Sequence, residues 1–291
     1  MPPPYFRPIR PSAGFPTVRA MDTGVFAGQE AENRYRAVYR EVWATCPEPD
    51  EVLDVPTSFG PTRVYRFGSV GESLVLLPGM AATAAGWGAE LARYADGHTV
   101  YAVDTLGEPG LSVQTAPIRT AVDRGLWVHE VVAGLGLARA HLVGASTGGW
   151  HATAAAVHAP QRVASVSLLD PTAVTVGFGF GVLWRAPLTR VLGWEWFLRW
   201  AGPGEDFRLV LAGIAEYRAR PAPQVPFGDA LRPVRVPVLA IFGRHSTVHN
   251  GERAARRMRE FVPHAEVEVW ECGHRIDAAE RVARFVRRFG A

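Results

Sequence analysis

The sequence predicts an α/β fold: a mostly parallel, twisted sheet with helices on both faces and a small helical lid before the penultimate strand. Short apolar runs such as "SLVLLPG", "TVYAVDTLG", "ARAHLVGAS" and "PVLAIFGR" end in turn residues and alternate with helical patterns. Near-continuous apolar strands separated by helices indicate a parallel sheet buried on both faces. The alternation breaks once, between "VSLLDP" and "PVLAIFGR", where the gap is too long for a single crossover helix.

Along the chain these patterns predict three units. Residues 1–27 form a proline-rich arm, because proline blocks regular pairing and nothing there is periodic. Residues 28–171 and 233–291 form the core, which opens with the amphipathic helix "GQEAENRYRAVYREVWATC" and a hairpin made by "EVLDVPTSFG" and "TRVYRFG". Residues 172–232 fill the long gap and form the helical lid.

Composition and charge narrow the classes of function. The net charge is only +3 with acids and bases interspersed, which argues against a nucleic-acid partner. Cys46 and Cys272 lie far apart without metal spacing, which favours a reducing compartment over a disulfide framework. No segment has the apolar stretch of a signal peptide or the ~18 apolar residues of a membrane span. We expect a cytoplasmic protein, monomer or homodimer, that acts on a small molecule without a metal or other cofactor.

The stretch "LVGASTGGW" carries the clearest indication of chemistry. Ser146 lies between Gly144 and Gly148, after a strand pattern and before the helical pattern "GGWHATAAAVH". A nucleophilic serine on a sharp strand-to-helix turn needs glycines at both positions, because side chains there would collide with the adjoining elements. A tight turn without chemistry is the alternative, and the strand-turn-helix context favours a nucleophile.

From about residue 50 to residue 290 the chain resembles the α/β-hydrolase superfamily, particularly its esterase-like serine hydrolases. "LVLLPGMAATAAGW" resembles the oxyanion loop, with Pro78-Gly79 where the family more often has His-Gly. "VYAVDTLGEPGLS" resembles the next strand and its glycine-rich turn, and "WECGHRID" resembles the terminal strand and the catalytic histidine. The resemblance implies Ser146 as nucleophile and His274 as the base that a serine hydroxyl needs.

The mechanics of this motif also predict the oxyanion hole. Its two donors are the backbone N–H of Thr147, just after the nucleophile, and that of Met80, just after Gly79. Both are main-chain groups, so their side chains need only be compatible with the turn.

The acid of the triad is harder to place. In this superfamily it usually follows the strand after the lid, but "VLAIFGRHSTVHN" contains no carboxylate, and Ser246 stands where the acid would be expected. Glu252 is the first acid beyond it, and it opens a helix, where a negative charge is favourable without catalysis. Some members carry the acid after the earlier strand, here "VSLLDP", which favours Asp170. The alternative is that Asp170 only orders the turn before Pro171.

Aromatic residues predict an apolar substrate pocket. The lid holds many of them, and Phe178, Trp184 and Trp194 together with Trp150 are the candidates for the pocket wall. The alternative is that these rings form the ordinary core of a small helical subdomain.

The function these features predict is hydrolysis of a carboxylic ester with an apolar acyl or aryl group through an acyl-enzyme. A biosynthetic acyl-transfer enzyme, acting as a thioesterase or forming or opening a lactone, would use the same triad on an ester or thioester. A non-catalytic binder of the same fold is the third reading, and a cofactorless lyase or perhydrolase also fits the triad. The intact Ser146 and His274 argue against the binder, but fold analogy does not choose among the others.

Overall fold

The computed structural model describes residues 23–88, 90–202, 207–219 and 221–289, and an eight-stranded sheet lies at its centre. Its strands in spatial order follow the sequence β2-β3-β5-β4-β6-β7-β9-β10. Two further strands, β1 and β8, pair separately with each other. The strands of the described residues are β1 Val25–Phe26, β2 Glu51–Val55, β3 Thr62–Phe67, β4 Ser73–Leu77, β5 Thr99–Val103, β6 Ala140–Ala145, β7 Val163–Leu169, β8 Tyr217–Arg218, β9 Val238–Gly243 and β10 Glu266–Trp270.

Parallel pairing dominates the sheet, as the apolar strand patterns predict. Six consecutive strands of the sheet run parallel to one another, in the order β5-β4-β6-β7-β9-β10. β3 runs antiparallel to its two neighbours, β2 and β5. All five residues of β5 and all six of β9 are buried. A strand covered on both faces has no polar side to expose, which explains its continuous apolar sequence.

Helices cover both faces of the sheet and divide the core in two. One apolar cluster packs α3, α4 and α9 on one face, and a second packs α1, α2 and α10 on the other. The helices of the described residues are α1 Gln29–Trp43, α2 Glu90–Ala95, α3 Ala121–Gly134, α4 Thr147–His158, α5 Phe180–Arg185, α6 Thr189–Leu192, α7 Trp194–Ala201, α8 Arg208–Glu216, α9 Gly251–Phe261 and α10 Ala279–Val286. No helix in the described ranges is both long enough and apolar enough to cross a membrane.

Capping side chains fix where two of these helices begin. At α3, the Thr120 hydroxyl accepts from the Asp123 N–H, and the Asp123 carboxylate accepts in return from the Thr120 N–H. At α9, the Asn250 side chain accepts from the Arg253 N–H at 2.8 Å. Such caps satisfy amide groups that have no partner inside the helix.

The segment before β9 is largely helical, and it contacts the loop that follows β9. Residues 172–232 contain α5, α6, α7 and α8 together with β8. Two hydrogen bonds fasten this segment to the loop after β9: Gly179 N–H donates to the Val248 carbonyl, and Thr247 Oγ1 donates to the Ala201 carbonyl. The insertion therefore meets the sheet on the side where β9 ends.

The described end of the N-terminal arm contains pairing that its composition does not predict. Most of residues 1–27 lie outside the described residues, but Val25–Phe26 pairs antiparallel with Tyr217–Arg218. The Phe26 ring also meets the Tyr217 ring edge-on at 4.9 Å. The partner strand is remote in sequence, so no local pattern could indicate this contact.

Candidate active site

Ser146 occupies the sharp turn between β6 and α4. Its backbone has φ 52 and ψ −118, a strained conformation for a residue with a side chain. A β-carbon on Gly144 would lie 2.4 Å from the Gly148 carbonyl oxygen, and one on Gly148 would lie 1.9 Å from that of Leu77. Both positions therefore require glycine, for the steric reason that the sequence pattern suggests.

Ser146, His274 and Asp170 form one continuous hydrogen-bonded relay. His274, on the loop after β10, places Nε2 at 2.9 Å from Ser146 Oγ and Nδ1 at 2.6 Å from Asp170 Oδ2. An ionised carboxylate only accepts, so His274 Nδ1 carries the proton of the second contact. In the neutral ring, Nε2 is then the free acceptor for the Ser146 hydroxyl.

Asp170 is the most enclosed member of the relay. Its side chain has no exposed surface, and four donors surround it. The Gly243 N–H at 2.9 Å and His249 Nε2 at 3.1 Å face Oδ1. The Ser246 hydroxyl and His274 Nδ1, each at 2.6 Å, face Oδ2. Each oxygen thus receives two donors, which fills the acceptor capacity of a carboxylate.

These contacts decide the charge of Asp170. Burial by itself would raise the pKa of the carboxyl, but hydrogen bonds from His249 and His274 hold the pKa well below its ordinary value. Asp170 is therefore ionised at neutral pH. A buried charge is tolerated here because donors replace the water that it loses.

The backbone at Asp170 is also unusual. Asp170 follows β7 with φ 42, in the left-handed region, which Asp tolerates better than most residues. Its N–H donates to the Ile241 carbonyl at 2.8 Å, which keeps the residue in register with β9. This conformation and this anchor together direct the carboxylate toward the loop after β9.

His249 and Ser246 are the contacts that sequence reasoning did not assign. The His249 side chain is 2% exposed, and its Nδ1 has no partner among the described residues. Because the Asp170 carboxylate only accepts, His249 Nε2 carries the proton of their contact. The sequence feature that could have indicated these contacts is the presence of two donors, Ser246 and His249, in a loop that lacks the expected carboxylate.

Other acids and histidines of the neighbourhood have separate partners. Glu252 pairs with Arg244 at the start of α9. His245 is largely exposed and faces Glu271 at 3.2 Å. The carboxylate that contacts His274 is therefore that of Asp170, and Glu252 is occupied by Arg244.

The predicted oxyanion loop passes close to Ser146. A β-carbon on Gly79 would lie 3.4 Å from Ser146 Cβ and 3.9 Å from Oγ, so the main chain before Met80 borders the hydroxyl. Thr147 is the first residue of α4, where backbone N–H groups have no partner within the helix. The roles of Met80 and Thr147 as oxyanion donors stay predictions that this placement supports.

The four aromatic residues predicted to wall the pocket lie in two different settings. Trp150 is buried in the core, where its indole N–H donates to the Val225 carbonyl and its ring packs on Phe227. Phe178, Trp184 and Trp194 are each more than one-third exposed. The Arg185 guanidinium covers the Trp184 ring at 3.9 Å. Trp150 thus has the environment of a core residue, whereas Phe178, Trp184 and Trp194 leave apolar surface open.

In the part of the chain that the structure describes, no three His, Cys, Asp or Glu side chains are grouped so that they could hold a metal ion. The relay itself needs none, because its charge and proton positions follow from Asp170, His274 and Ser146.

The strained serine turn, the hydrogen-bonded relay and the parallel sheet define the class of protein. A match to the alpha/beta hydrolase family spans residues 74–287, most of the chain. The chain belongs to this family. Its eight-stranded, mostly parallel sheet with helices on both faces is the α/β-hydrolase fold.

Particular relatives are carboxylesterases of Bacillus subtilis. Carboxylesterase YbfK is 30% identical over 264 residues, covering 85% of this chain and 89% of YbfK. The crystal structure of carboxylesterase CesB (YbfK) matches with a TM-score of 0.79 at 29% identity, over 89% of this chain and 98% of that one. The structure of naproxen esterase (carboxylesterase NP) matches with a TM-score of 0.80 at 27% identity, over 90% and 97%.

The lowered pKa of Asp170 predicts a pH-dependent stability difference for Asp170→Asn. A depressed carboxyl pKa stabilises the fold fully above the ordinary Asp value of about 3.9, and the stabilisation is lost progressively as pH falls from there toward the lower pKa of the folded protein. At pH 7 the variant should lose about 2 kcal/mol of unfolding free energy, because an amide cannot accept four donors. Urea unfolding of both proteins between pH 7 and pH 3 measures this. A difference that stays constant or widens toward pH 3 would contradict the assignment.

Proposed function

We propose that this protein is a serine hydrolase that cleaves carboxylic esters with an apolar acyl or aryl group through an acyl-enzyme intermediate. The relay from Ser146 Oγ to His274 and from His274 to Asp170 carries the proposal. Two relatives that are named carboxylesterases support an ester as the bond cleaved.

In the first half of the reaction, Ser146 Oγ attacks the ester carbonyl carbon while its proton moves to His274 Nε2. The resulting imidazolium is stabilised through Nδ1–H by the Asp170 carboxylate, which stays ionised. The C–O bond to the alcohol then breaks as His274 returns the proton to the leaving oxygen. The acyl group remains as an ester on Ser146.

In the second half, water takes the place of the alcohol. His274 Nε2 removes a proton from the water as its oxygen attacks the acyl carbon. Collapse of the tetrahedral species releases the carboxylic acid, and the proton returns from His274 to Ser146 Oγ. Bonds and protons balance without any cofactor.

The two tetrahedral species carry negative charge on the former carbonyl oxygen. We propose that the N–H groups of Met80 and Thr147 receive it, since the main chain before Met80 borders Ser146 and Thr147 opens α4. Preorganised donors of this kind contribute about 3–4 kcal/mol each to lowering the barrier.

Hydrolysis is favoured over acyl transfer because the two relatives that match over 85% and 87% of this chain are both named carboxylesterases. The non-catalytic binder is disfavoured because a relay with distances of 2.9 Å and 2.6 Å, on a strained serine, has no use in mere binding. Backbone strain costs free energy, and strained residues cluster at functional sites, which supports a catalytic role for Ser146.

A fluorophosphonate probe tests the nucleophile. We expect one covalent adduct, mapped by peptide mass spectrometry to Ser146, because the probe reacts with a serine that a neighbouring base activates. Ser246→Ala is the matched control, since Ser246 is a second serine at the site and should not affect where the label lies. Labelling at another residue, or none in the folded protein, would refute the proposal.

A series of p-nitrophenyl esters tests the apolar substrate. We expect kcat/KM to rise from acetate through butyrate to hexanoate by roughly two- to fourfold per methylene, as expected when each CH₂ leaves water. The exposed apolar surface of Phe178, Trp184 and Trp194 motivates this expectation. A steady fall from acetate upward would mean that this surface does not receive the acyl group.

A further inference from the structure

The loop after β5 carries two buried carboxylates, Asp104 and Glu108, that the proposed reaction does not use. Asp104 is fully buried and Glu108 is 6% exposed. Both belong to "DTLGEPGLS", the glycine-rich turn that follows the strand. A buried carboxylate needs hydrogen-bond donors to compensate for its lost hydration. The donors that contact Asp104 and Glu108 therefore indicate the structural role of each carboxylate.

Each of the two carboxylates has a partner in the loop that approaches Ser146. Glu108 Oε2 accepts from the Ala81 N–H at 2.7 Å. Asp104 Oδ1 accepts from the Ala84 N–H at 2.9 Å, and Asp104 Oδ2 accepts from the Leu111 N–H at 2.7 Å. The two carboxylates thus hold the loop after β4 at two successive points, and Glu108 holds the point nearer to the nucleophile.

The part of the loop that Glu108 holds is strained. The Ala82 N–H donates to the Gly79 carbonyl at 3.1 Å, which closes a turn over residues 79–82. Ala81 stands at the third position of this turn with φ 56, where turns of type II require a positive φ and favour glycine. An alanine keeps that conformation only if its surroundings enforce it.

The turn also fixes the peptide plane that bears the Met80 N–H. That plane contains the Gly79 carbonyl, which accepts from Ala82, and the next plane contains the Ala81 N–H, which donates to Glu108. Because the hydrogen bond from the Ala82 N–H to the Gly79 carbonyl closes the turn, a rotation of the second plane would displace Ala82 and, through this bond, the first plane. The carboxylate of Glu108 therefore restrains the direction in which the Met80 N–H points.

The buried surroundings of Glu108 keep its carboxylate in position to accept the hydrogen bond from the Ala81 N–H. Burial raises the pKa of its carboxyl, while the Ala81 N–H and the charge of Arg124 act in the opposite direction. Arg124 is itself buried and donates to the Leu106 carbonyl at 2.9 Å. His151 Nε2 lies 4.0 Å from Glu108 Oε1, beyond hydrogen-bond distance. An acceptor oxygen is available to Ala81 in either protonation state.

We propose that Glu108 is a positioning residue of the ester-cleaving site: by accepting the Ala81 N–H, it holds the strained 79–82 turn so that the Met80 N–H points at the developing oxyanion. This inference rests on the proposed function. It predicts an effect on the transition state and little effect on substrate binding, since the oxyanion forms only as the reaction proceeds.

Three substitutions separate positioning from general stability. Glu108→Gln keeps an acceptor oxygen at the same reach, Glu108→Met keeps the length without an acceptor, and Glu108→Asp keeps the charge but withdraws it from Ala81. Glu130→Met is the matched control, because the Glu130 carboxylate accepts from the Ser58 N–H, also at 2.7 Å, on α3 and away from Ser146. Thermal unfolding of each variant reports the structural cost.

The readouts are kcat and KM on p-nitrophenyl butyrate and the inhibition constant of an alkylboronic acid, whose Ser146 adduct is tetrahedral and places an oxygen in the oxyanion hole. For Glu108→Met we expect kcat to fall about tenfold to a hundredfold, as small misplacements of catalytic groups do, with KM changed less than twofold. The inhibition constant should rise in parallel with the fall in kcat. Glu108→Gln should stay within about threefold of the wild type, and Glu130→Met should leave all three values unchanged.

Two results would overturn the inference. One is a folded Glu108→Met with wild-type kcat and boronic acid affinity, whatever its melting temperature. The other is a Glu108→Gln as impaired as Glu108→Met. If Glu108→Met does not fold, Glu108→Asp decides in the same way, with a loss of kcat and boronic acid affinity supporting the inference. A wild-type protein that neither cleaves the ester nor binds the boronic acid would instead refute the proposed function.

Discussion

The buried Asp170 carboxylate is the interaction on which the rest of the site depends. It has no exposed surface, yet it stays ionised because four donors from three parts of the chain reach it. Those donors come from the end of β9, from the loop after it and from the loop after β10. The same contacts that stabilise the charge therefore fix the ends of neighbouring strands and the orientation of His274 relative to Ser146.

The order of the strands explains why Asp170, which follows β7, can reach His274. β6, β7, β9 and β10 are consecutive neighbours and parallel, so Ser146, Asp170, the loop after β9 and His274 all lie at one edge of the sheet. Ser246, at the position where the superfamily usually has its acid, lies 2.6 Å from Asp170 Oδ2. The ends of β7 and β9 therefore lie side by side. In this protein the loop after β9 supplies two hydrogen-bond donors, Ser246 and His249, to Asp170 at the end of β7.

Local sequence patterns predicted the features that depend on local constraints. The glycines around Ser146 and the apolar strands indicated the turn and the sheet, whereas Asp170 was predicted from the resemblance to superfamily members that carry their acid after the earlier strand. Contacts between distant segments left no such trace. His249 and Glu108 each bond to a residue far away in sequence, to Asp170 and to Ala81 respectively. Trp150, a candidate for the pocket wall, packs in the core because α4 turns its ring toward Phe227.

The most direct test of this account is the kcat of Asp170→Asn on an ester that the wild type cleaves. The amide cannot orient His274 with its Nε2 unprotonated or stabilise its imidazolium, so kcat should fall about a thousandfold or more. Glu252→Gln, which removes the charge of the first acid after β9, should keep most activity because Glu252 pairs with Arg244. A folded Asp170→Asn with near-normal kcat would contradict the account and place the acid elsewhere.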